Sequence, residues 1–389
     1  MTAAAQRVAL SGYTTLGLGG PASKLVAADT ERQLVAQVRS ADRRGEPLLV
    51  LGGGSNLVIA DEGFDGTVIA VLTRGVVMAA ESGSVTVTAA AGQDWDGLTQ
   101  RCVASELAGL ECLAGIPGLV GATPIQNVGA YGQEVAETIT AVRTYDRASR
   151  EVVELAGADC GFGYRTSAFK RSIGWQPQPQ PQSRPRPRPR PQPQQQQGPP
   201  RPPAPTGRFV VLSVTFRLAR DAMSLPIRYA ELARRLGVAT GDRVPLADAR
   251  AAVLELRRGK GMVLDPDDPD TRSAGSFFTN PVISQAQLAA LERAVRTRFG
   301  PDAAVPAFPA EDGQVKVPAA WLIERAGFTK GFPNGAAIRI SAKHTLALVN
   351  AGGGSTKGLL ALAAEIRDGV HGSFGIELVP EPVLVGVSL

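Results

Sequence analysis

Apolar positions along the chain fall into short runs and helical stripes that alternate from Leu16 to the C-terminal residues. Leu48 to Leu51 is a compact apolar run ending in glycines, and Val68 to Val71 and Val85 to Ala90 repeat the same pattern; all three predict strands. Glu31 to Arg39 predicts a short helix. Gln93 to Ser105 predicts another, with Trp95, Leu98, Cys102 and Val103 on one side. Phe209 to Leu218 (FVVLSVTFRL) reads as a buried strand.

Beyond it helices dominate. Leu246 to Arg258 places Ala249, Ala252, Val253 and Leu256 at helical spacing, and Ser284 to Arg298 is a second helix. Ala319 to Ala326 opens on Pro318, a favoured first-turn residue. Thr356 to Val370 follows Ser355, a natural N-cap. Strands at Ala337 to Ile340, Thr345 to Val349 and Val383 to Val387 complete an α+β second half.

One segment breaks every pattern. Gln176 to Thr206 reads QPQPQPQSRPRPRPRPQPQQQQGPPRPPAPT. Alternating proline removes backbone donors and fixes φ, so neither helix nor central strand forms. With no apolar content to offset ordering entropy, the expectation is a disordered or polyproline-II surface loop. It either occupies a tolerated insertion or docks a polyproline-binding or acidic partner of unknown identity. The strand just after it argues for an insertion within one domain.

The whole chain, at 389 residues, is long enough for two or three domains, and 44% hydrophobic with 20% charged residues is ordinary for a globular protein. Its net charge of +5 resides in the insertion, which holds Arg184, Arg186, Arg188, Arg190 and Arg201 and no acid. The remainder is near neutral, so no nucleic-acid partner is expected. No apolar run is long enough for membrane insertion, and Met1 to Val8 lacks the pattern of a signal peptide, which makes the cytoplasm the expected compartment. Cys102, Cys112 and Cys160 have no close pairing, so buried free thiols are expected and no metal site.

Two uncharged glycine blocks are the candidate chemistry. Gly52-Gly53-Gly54-Ser55-Asn56 follows a strand, and Gly115 to Gly132 holds repeated glycines with Gln126 and Asn127. Glycine lets backbone N–H groups approach a phosphate closely, and two such loops could bracket a long diphosphate cofactor. Neither block is the dinucleotide fingerprint or a P-loop. Gly352-Gly353-Gly354-Ser355-Thr356-Lys357 puts its lysine after the hydroxyls and reads as a turn and helix cap.

With these blocks in view, the chain resembles the UDP-N-acetylenolpyruvoylglucosamine reductase family. The resemblance is carried in order by Tyr13-Thr14-Thr15-Leu16 with Gly19-Gly20, Leu51 to Asn56, Ala91 to Trp95, Ile116-Pro117-Gly118, and Pro124 to Gly132. It continues through Phe162 to Ser167, Ala274 to Pro281, Ala320 to Ile323 and Pro380-Glu381, spanning nearly all of the chain except the insertion. It implies an α+β protein with a two-lobed vanillyl-alcohol-oxidase-type FAD-binding domain over 1–222, with lobes at about 1–75 and 76–222. A smaller α+β substrate-binding domain over 223–389 follows. FAD would be bound non-covalently, and NADPH would be the hydride donor.

The resemblance places the cofactor at Gly52, Gly53, Gly54, Ser55, Asn56, Gly118, Gly121, Ala122, Thr123, Gln126, Asn127 and Gly129. It assigns proton donation to Ser276 and carboxylate binding to Arg165, with Glu381 on the same group. Tyr164, Tyr229, Lys260 and Asn280 would line the pocket for UDP-N-acetylglucosamine enolpyruvate. Another oxidase or dehydrogenase of the same fold is the alternative, and it would not need the Gly275-Ser276-Phe277-Phe278 block. A non-catalytic scaffold would not need Ser276, Arg165 and Glu381.

Overall fold

The computed structural model describes residues 8–174 and 205–389. The first lobe is a four-stranded sheet in which Phe64–Val71 lies between Pro21–Ala28 and Leu48–Leu51, all three parallel. The helix Glu31–Arg44 makes the crossover and buries Leu34, Val35, Val38 and Ala41. Thr30 and Gln33 form a capping box at its start, and Gly45 ends it at φ 64°. The helix is longer than its apolar stripe predicted, because its last turn is polar and the stop signal is the glycine.

The second lobe is antiparallel, with Phe209–Arg220 between Ile139–Asp146 and Ser84–Ala90. Its inner face packs on the helix Trp95–Ala104. Trp95 lies 5.9 Å from Phe216, and its indole N–H donates to the Leu113 carbonyl at 2.9 Å. A buried indole thus has both apolar packing and a partner for its one polar atom.

Nearly all of the proline-rich stretch lies outside the described residues. The chain ends that flank it meet: the Arg208 N–H donates to Ser172 Oγ at 3.1 Å. Pro205 and Thr206, expected to belong to the loop, are instead packed. Thr206 is buried, its Oγ1 accepts from the Val50 N–H at 2.8 Å, and its carbonyl accepts from Arg147 at 3.0 Å. Composition could not reveal this, since the contact partners are distant in sequence.

The rest of the chain holds the sheet Ser273–Ser276, Ala347–Asn350 and Ile338–Ile340, covered by the helices Gln285–Phe299, Ala319–Arg325 and Thr356–Phe374. Ser355 caps the last helix by accepting from the Gly358 N–H, and the preceding glycines form a turn around Asn350 Oδ1. The final strand, Val383–Val385, departs from expectation. A strand forms where one was expected, but it pairs in parallel with Leu57–Ile59 of the first lobe rather than within the second half. The Asp61 carboxylate reinforces that return by accepting from the Thr356 and Lys357 N–H groups at 2.8 and 2.9 Å. All three cysteines are buried and unpaired. Among the described residues no helix is long and apolar enough to cross a membrane.

Replacing residues 176–204 by a short Gly-Ser bridge is expected to leave the thermal unfolding midpoint unchanged or slightly raised, since loop length contributes only about 0.6 kcal/mol per doubling. Extending the deletion through Thr206 removes the acceptor for the Val50 N–H and should destabilise the protein by about 1–3 kcal/mol. Equal midpoints for the two deletions would contradict the packing role of Thr206.

Candidate active site

Two glycine loops meet at the junction of the lobes. The strand Leu48–Leu51 delivers Gly52–Asn56, while the chain from Gly115 to Ala122 approaches from the second lobe. Ser55 Oγ donates to the Pro117 carbonyl at 2.9 Å. A Cβ on Gly53 would stand 2.8 Å from Gly118 Cα, so contact between the loops themselves requires glycine there. Gly54 has φ 62°, and a Cβ would fall 1.9 Å from the Tyr13 carbonyl oxygen.

The N-terminal block stitches this loop to the second half. The Thr15 N–H donates to the Gly54 carbonyl at 3.3 Å and Thr15 Oγ1 to the Ser273 carbonyl at 2.6 Å.

A cleft opens beside the loops, at the junction of the two lobes. Gly52, Gly53, Gly54, Ser55, Asn56, Gly121, Ala122 and Gln126 form part of its wall. Apolar surface comes from Phe169, Phe209 and Val210, and Thr206 closes one side. No charged side chain among the described residues lines it. Phosphates there would be held by backbone N–H groups and small polar side chains, and rings by the apolar wall. That donor set fits FAD.

Gly118, Thr123, Asn127 and Gly129 stand behind the wall rather than in it. Thr123 Oγ1 donates to the Val120 carbonyl. Asn127, at φ 44°, donates to Glu134 and to the Gly163 carbonyl. Gly129 packs on Glu134, and its carbonyl accepts from Arg165 Nη2 at 2.9 Å. These four residues brace the loops and the neighbouring arginine.

That arginine sits in an unusual turn. Gly163 and Thr166 exchange hydrogen bonds at 3.1 Å, leaving Tyr164 and Arg165 at the tip. Arg165 has φ 53°, a left-handed backbone that costs a residue with a Cβ roughly 1–2 kcal/mol. Its Nε lies 3.4 Å from Glu381 Oε1. The Glu381 N–H in turn donates to the Phe277 carbonyl at 2.9 Å, next to Ser276, and the Glu381 carbonyl accepts from Asn56 Nδ2 at 3.5 Å. The fold therefore brings the Arg165 side chain to Glu381, and the Glu381 backbone to the residue after Ser276. Ser276 ends the strand Ser273–Ser276 and is half-buried, with Phe277 and Phe278 buried behind it.

Tyr164 lies beside this group. Burial raises its phenol pKa, and Asn280 bonds to it. The Lys316 ammonium sits 4.7 Å above its ring. Asn280 Oδ1 also accepts from the Ala319 N–H at 2.9 Å, which caps the helix Ala319–Arg325.

Lys260 and Tyr229 fall in a second polar cluster. Lys260 Nζ bonds Glu231 at 2.6 Å and lies 5.6 Å from the Tyr131 ring. Tyr131 packs edge-on against Tyr229 at 5.5 Å. Burial and the Lys260 and Lys330 ammonium groups push the His344 imidazole down to about 4, so it is neutral near pH 7. Tyr131 has no role in the sequence-level site, although it lies in the block Gly129-Ala130-Tyr131-Gly132; its pairing with Tyr229 is a long-range contact.

Two lobes meeting at a cleft of glycine loops are the arrangement of an FAD-binding flavoprotein. Residues 22–156 match the FAD binding domain family, and residues 267–385 match the UDP-N-acetylenolpyruvoylglucosamine reductase C-terminal domain. A reductase of that name from Thermobifida fusca is 52% identical over 389 residues, covering 100% of this chain and 99% of the relative. One from Salinispora arenicola is 53% identical over 383 residues, covering 98% and 95%. The crystal structure of the Thermus caldophilus reductase shares the fold, with a TM-score of 0.58 at 24% identity over 98% of each chain. The chain belongs to the UDP-N-acetylenolpyruvoylglucosamine reductase family and is an FAD-dependent oxidoreductase.

Gly53→Val is expected to force the two loops apart and yield protein with little bound FAD, while the second half stays folded. The flavin-to-protein absorbance ratio checks this. A ratio equal to that of the unaltered protein would show that contact at Gly118 does not shape the cleft.

Proposed function

We propose that Arg165, Ser276 and Glu381 form the reducing site, with 1–222 holding the cofactor and 223–389 carrying most of the sugar-nucleotide pocket. The chain is an NADPH-dependent reductase. It converts the enolpyruvyl ether of UDP-N-acetylglucosamine enolpyruvate to UDP-N-acetylmuramate in peptidoglycan precursor synthesis. The Arg165–Glu381 contact, tied through the Glu381 N–H to the residue after Ser276, carries the residue assignment.

FAD held by the Gly52–Asn56 and Gly121–Gln126 segments would supply hydride, taken from NADPH, to the methylene carbon of the substrate. Negative charge then develops on the carbon bearing the carboxylate and spreads into that carboxylate. Arg165 holds the carboxylate with a fork of N–H donors and stabilises the enolate. Its guanidinium is aimed by the Gly129 carbonyl and Glu381. Ser276 Oγ gives its proton to the carbanionic carbon. A hydroxyl is a weak acid, but a carboxylate-conjugated carbanion is a strong enough base to take it.

Tyr164 and Asn280 border the carboxylate end. Lys260 and Tyr229 would bind the diphosphate of the sugar nucleotide, with Lys260 exchanging Glu231 for phosphate. The Gly52–Asn56 and Gly121–Gln126 segments hold the cofactor diphosphate through backbone groups.

We place the protein in the cytoplasm, supported by its three unpaired buried thiols, which suit a reducing compartment. Residues 176–206 are read first as a tolerated insertion, with docking to a polyproline-binding or acidic partner as the alternative.

Ser276→Ala should leave flavin reduction by NADPH near the unaltered rate. Reoxidation by the enolpyruvyl substrate should slow by at least ~10²-fold, the low end for loss of a positioned general acid. Ser276→Cys should recover part of that rate. Arg165→Lys should both weaken substrate binding and slow the step, because lysine cannot reproduce the fork. Anaerobic stopped-flow of the two half-reactions reads these outcomes. Equal slowing of both half-reactions by Ser276→Ala would rule out the serine as proton donor.

A further inference from the structure

Lys170 sits between the cofactor cleft and the carboxylate clamp. The short helix Ala168–Arg171 starts directly after the Arg165 turn, and Ser167 caps it by accepting from the Lys170 N–H at 3.1 Å. Ser167 Oγ also donates to the Ile125 carbonyl at 2.8 Å, which anchors the helix to the second glycine block. Phe169 then enters the cleft wall. The Lys170 ammonium makes two bonds: to Gln126 Oε1 at 2.8 Å and to the Arg165 carbonyl at 3.2 Å.

Each bond fixes something the site needs. An ammonium can only donate, so the Gln126 oxygen must face Lys170, and the amide –NH₂ is the end left for the cleft. Gln126 is buried in the cleft wall, so that end becomes a hydrogen-bond donor toward a bound cofactor. The second bond holds the carbonyl of a residue with a left-handed backbone. Arg165 is otherwise held through its side chain, by the Gly129 carbonyl and Glu381. Rotation of the Arg165 peptide would move the guanidinium off both.

Charge points the same way. Lys170 and Arg165 are two cations whose fields both reach the Glu381 carboxylate. Burial lowers the Lys170 pKa, and Glu381 opposes that shift.

We propose that Lys170 is a positioning residue whose one ammonium locks the Arg165 turn and orients the Gln126 amide, coupling the carboxylate clamp to the cofactor cleft. This rests on the assignment of Arg165 to the substrate carboxylate.

A double-mutant cycle on the FAD-loaded enzyme tests it. Lys170→Met alone should slow flavin reoxidation by the enolpyruvyl substrate by about tenfold or more, the value of a lost hydrogen bond to a charged group. Reduction by NADPH should stay within about threefold, as it does not use the carboxylate clamp. Because Lys170 acts through Arg165, adding Lys170→Met to Arg165→Lys should change reoxidation by less than about twofold. Lys170→Arg keeps the charge and the donors, and should retain flavin and most of the reoxidation rate.

The same loss from Lys170→Met in both backgrounds would overturn the proposal, since it would signal independent damage. So would normal reoxidation in Lys170→Met. If Lys170→Met loses its flavin, Lys170→Arg decides, and a flavin-free or equally slow Lys170→Arg sinks the idea. If Arg165→Lys itself leaves reoxidation unchanged, the carboxylate assignment fails first; slow Arg165→Lys with normal Lys170→Met removes only the role of Lys170.

Discussion

The site depends on one backbone hydrogen bond between segments that lie about a hundred residues apart. The Glu381 N–H meets the Phe277 carbonyl at 2.9 Å, and the same residue presents its carboxylate to Arg165 at 3.4 Å. Around this point the last strand, Val383–Val385, runs parallel to Leu57–Ile59, and the Val383 N–H donates to the Asn56 carbonyl. The first glycine loop, the Arg165 turn, the Ser276 strand and the C-terminal strand therefore share one set of contacts. None of these segments can move alone without breaking a partly buried polar contact, which is costly to leave unmade.

A second constraint is steric. The cleft exists because Gly53 and Gly118 approach closer than any side chain allows, and Ser55 fastens the loops by bonding the Pro117 carbonyl. Among the described residues its wall is uncharged, and Arg165 and Lys260 lie outside it. The glycine loops and the charged side chains are thus separate sets of residues. Lys170 bridges the two, bonding Gln126 in the cleft wall and the Arg165 carbonyl.

Much of this was legible in the chain itself, wherever the signal was local. Ser355 and Ser284 mark helix starts that the structure reproduces, because capping is decided within a turn of sequence, while Pro318 stands just before its helix and not in its first turn. The helix after Thr30 runs on to Arg44, since its last turn lies off the apolar stripe while Gly45 supplies the stop. The partner of the final strand was not legible, because parallel pairing with Leu57–Ile59 spans most of the chain and leaves no periodicity. Thr206 was hidden for a related reason: it closes a proline-rich stretch, yet its hydroxyl belongs to Val50. At the site, glycine spacing marked both loops but could not say which glycines face the cleft and which, like Gly129, brace an arginine. Lys170 carried no motif of its own, and its importance emerges only from the two atoms it contacts.

The most direct test of the account is a crystal structure of the FAD-loaded Ser276→Ala protein with the enolpyruvyl substrate bound. The account predicts the substrate carboxylate on the Arg165 guanidinium, with Glu381 adjacent. It also predicts the carbon bearing that carboxylate within about 4 Å of the residue 276 Cβ, close enough for the missing hydroxyl to have reached it. A carboxylate seated away from Arg165, or another donor standing nearer that carbon, would contradict it.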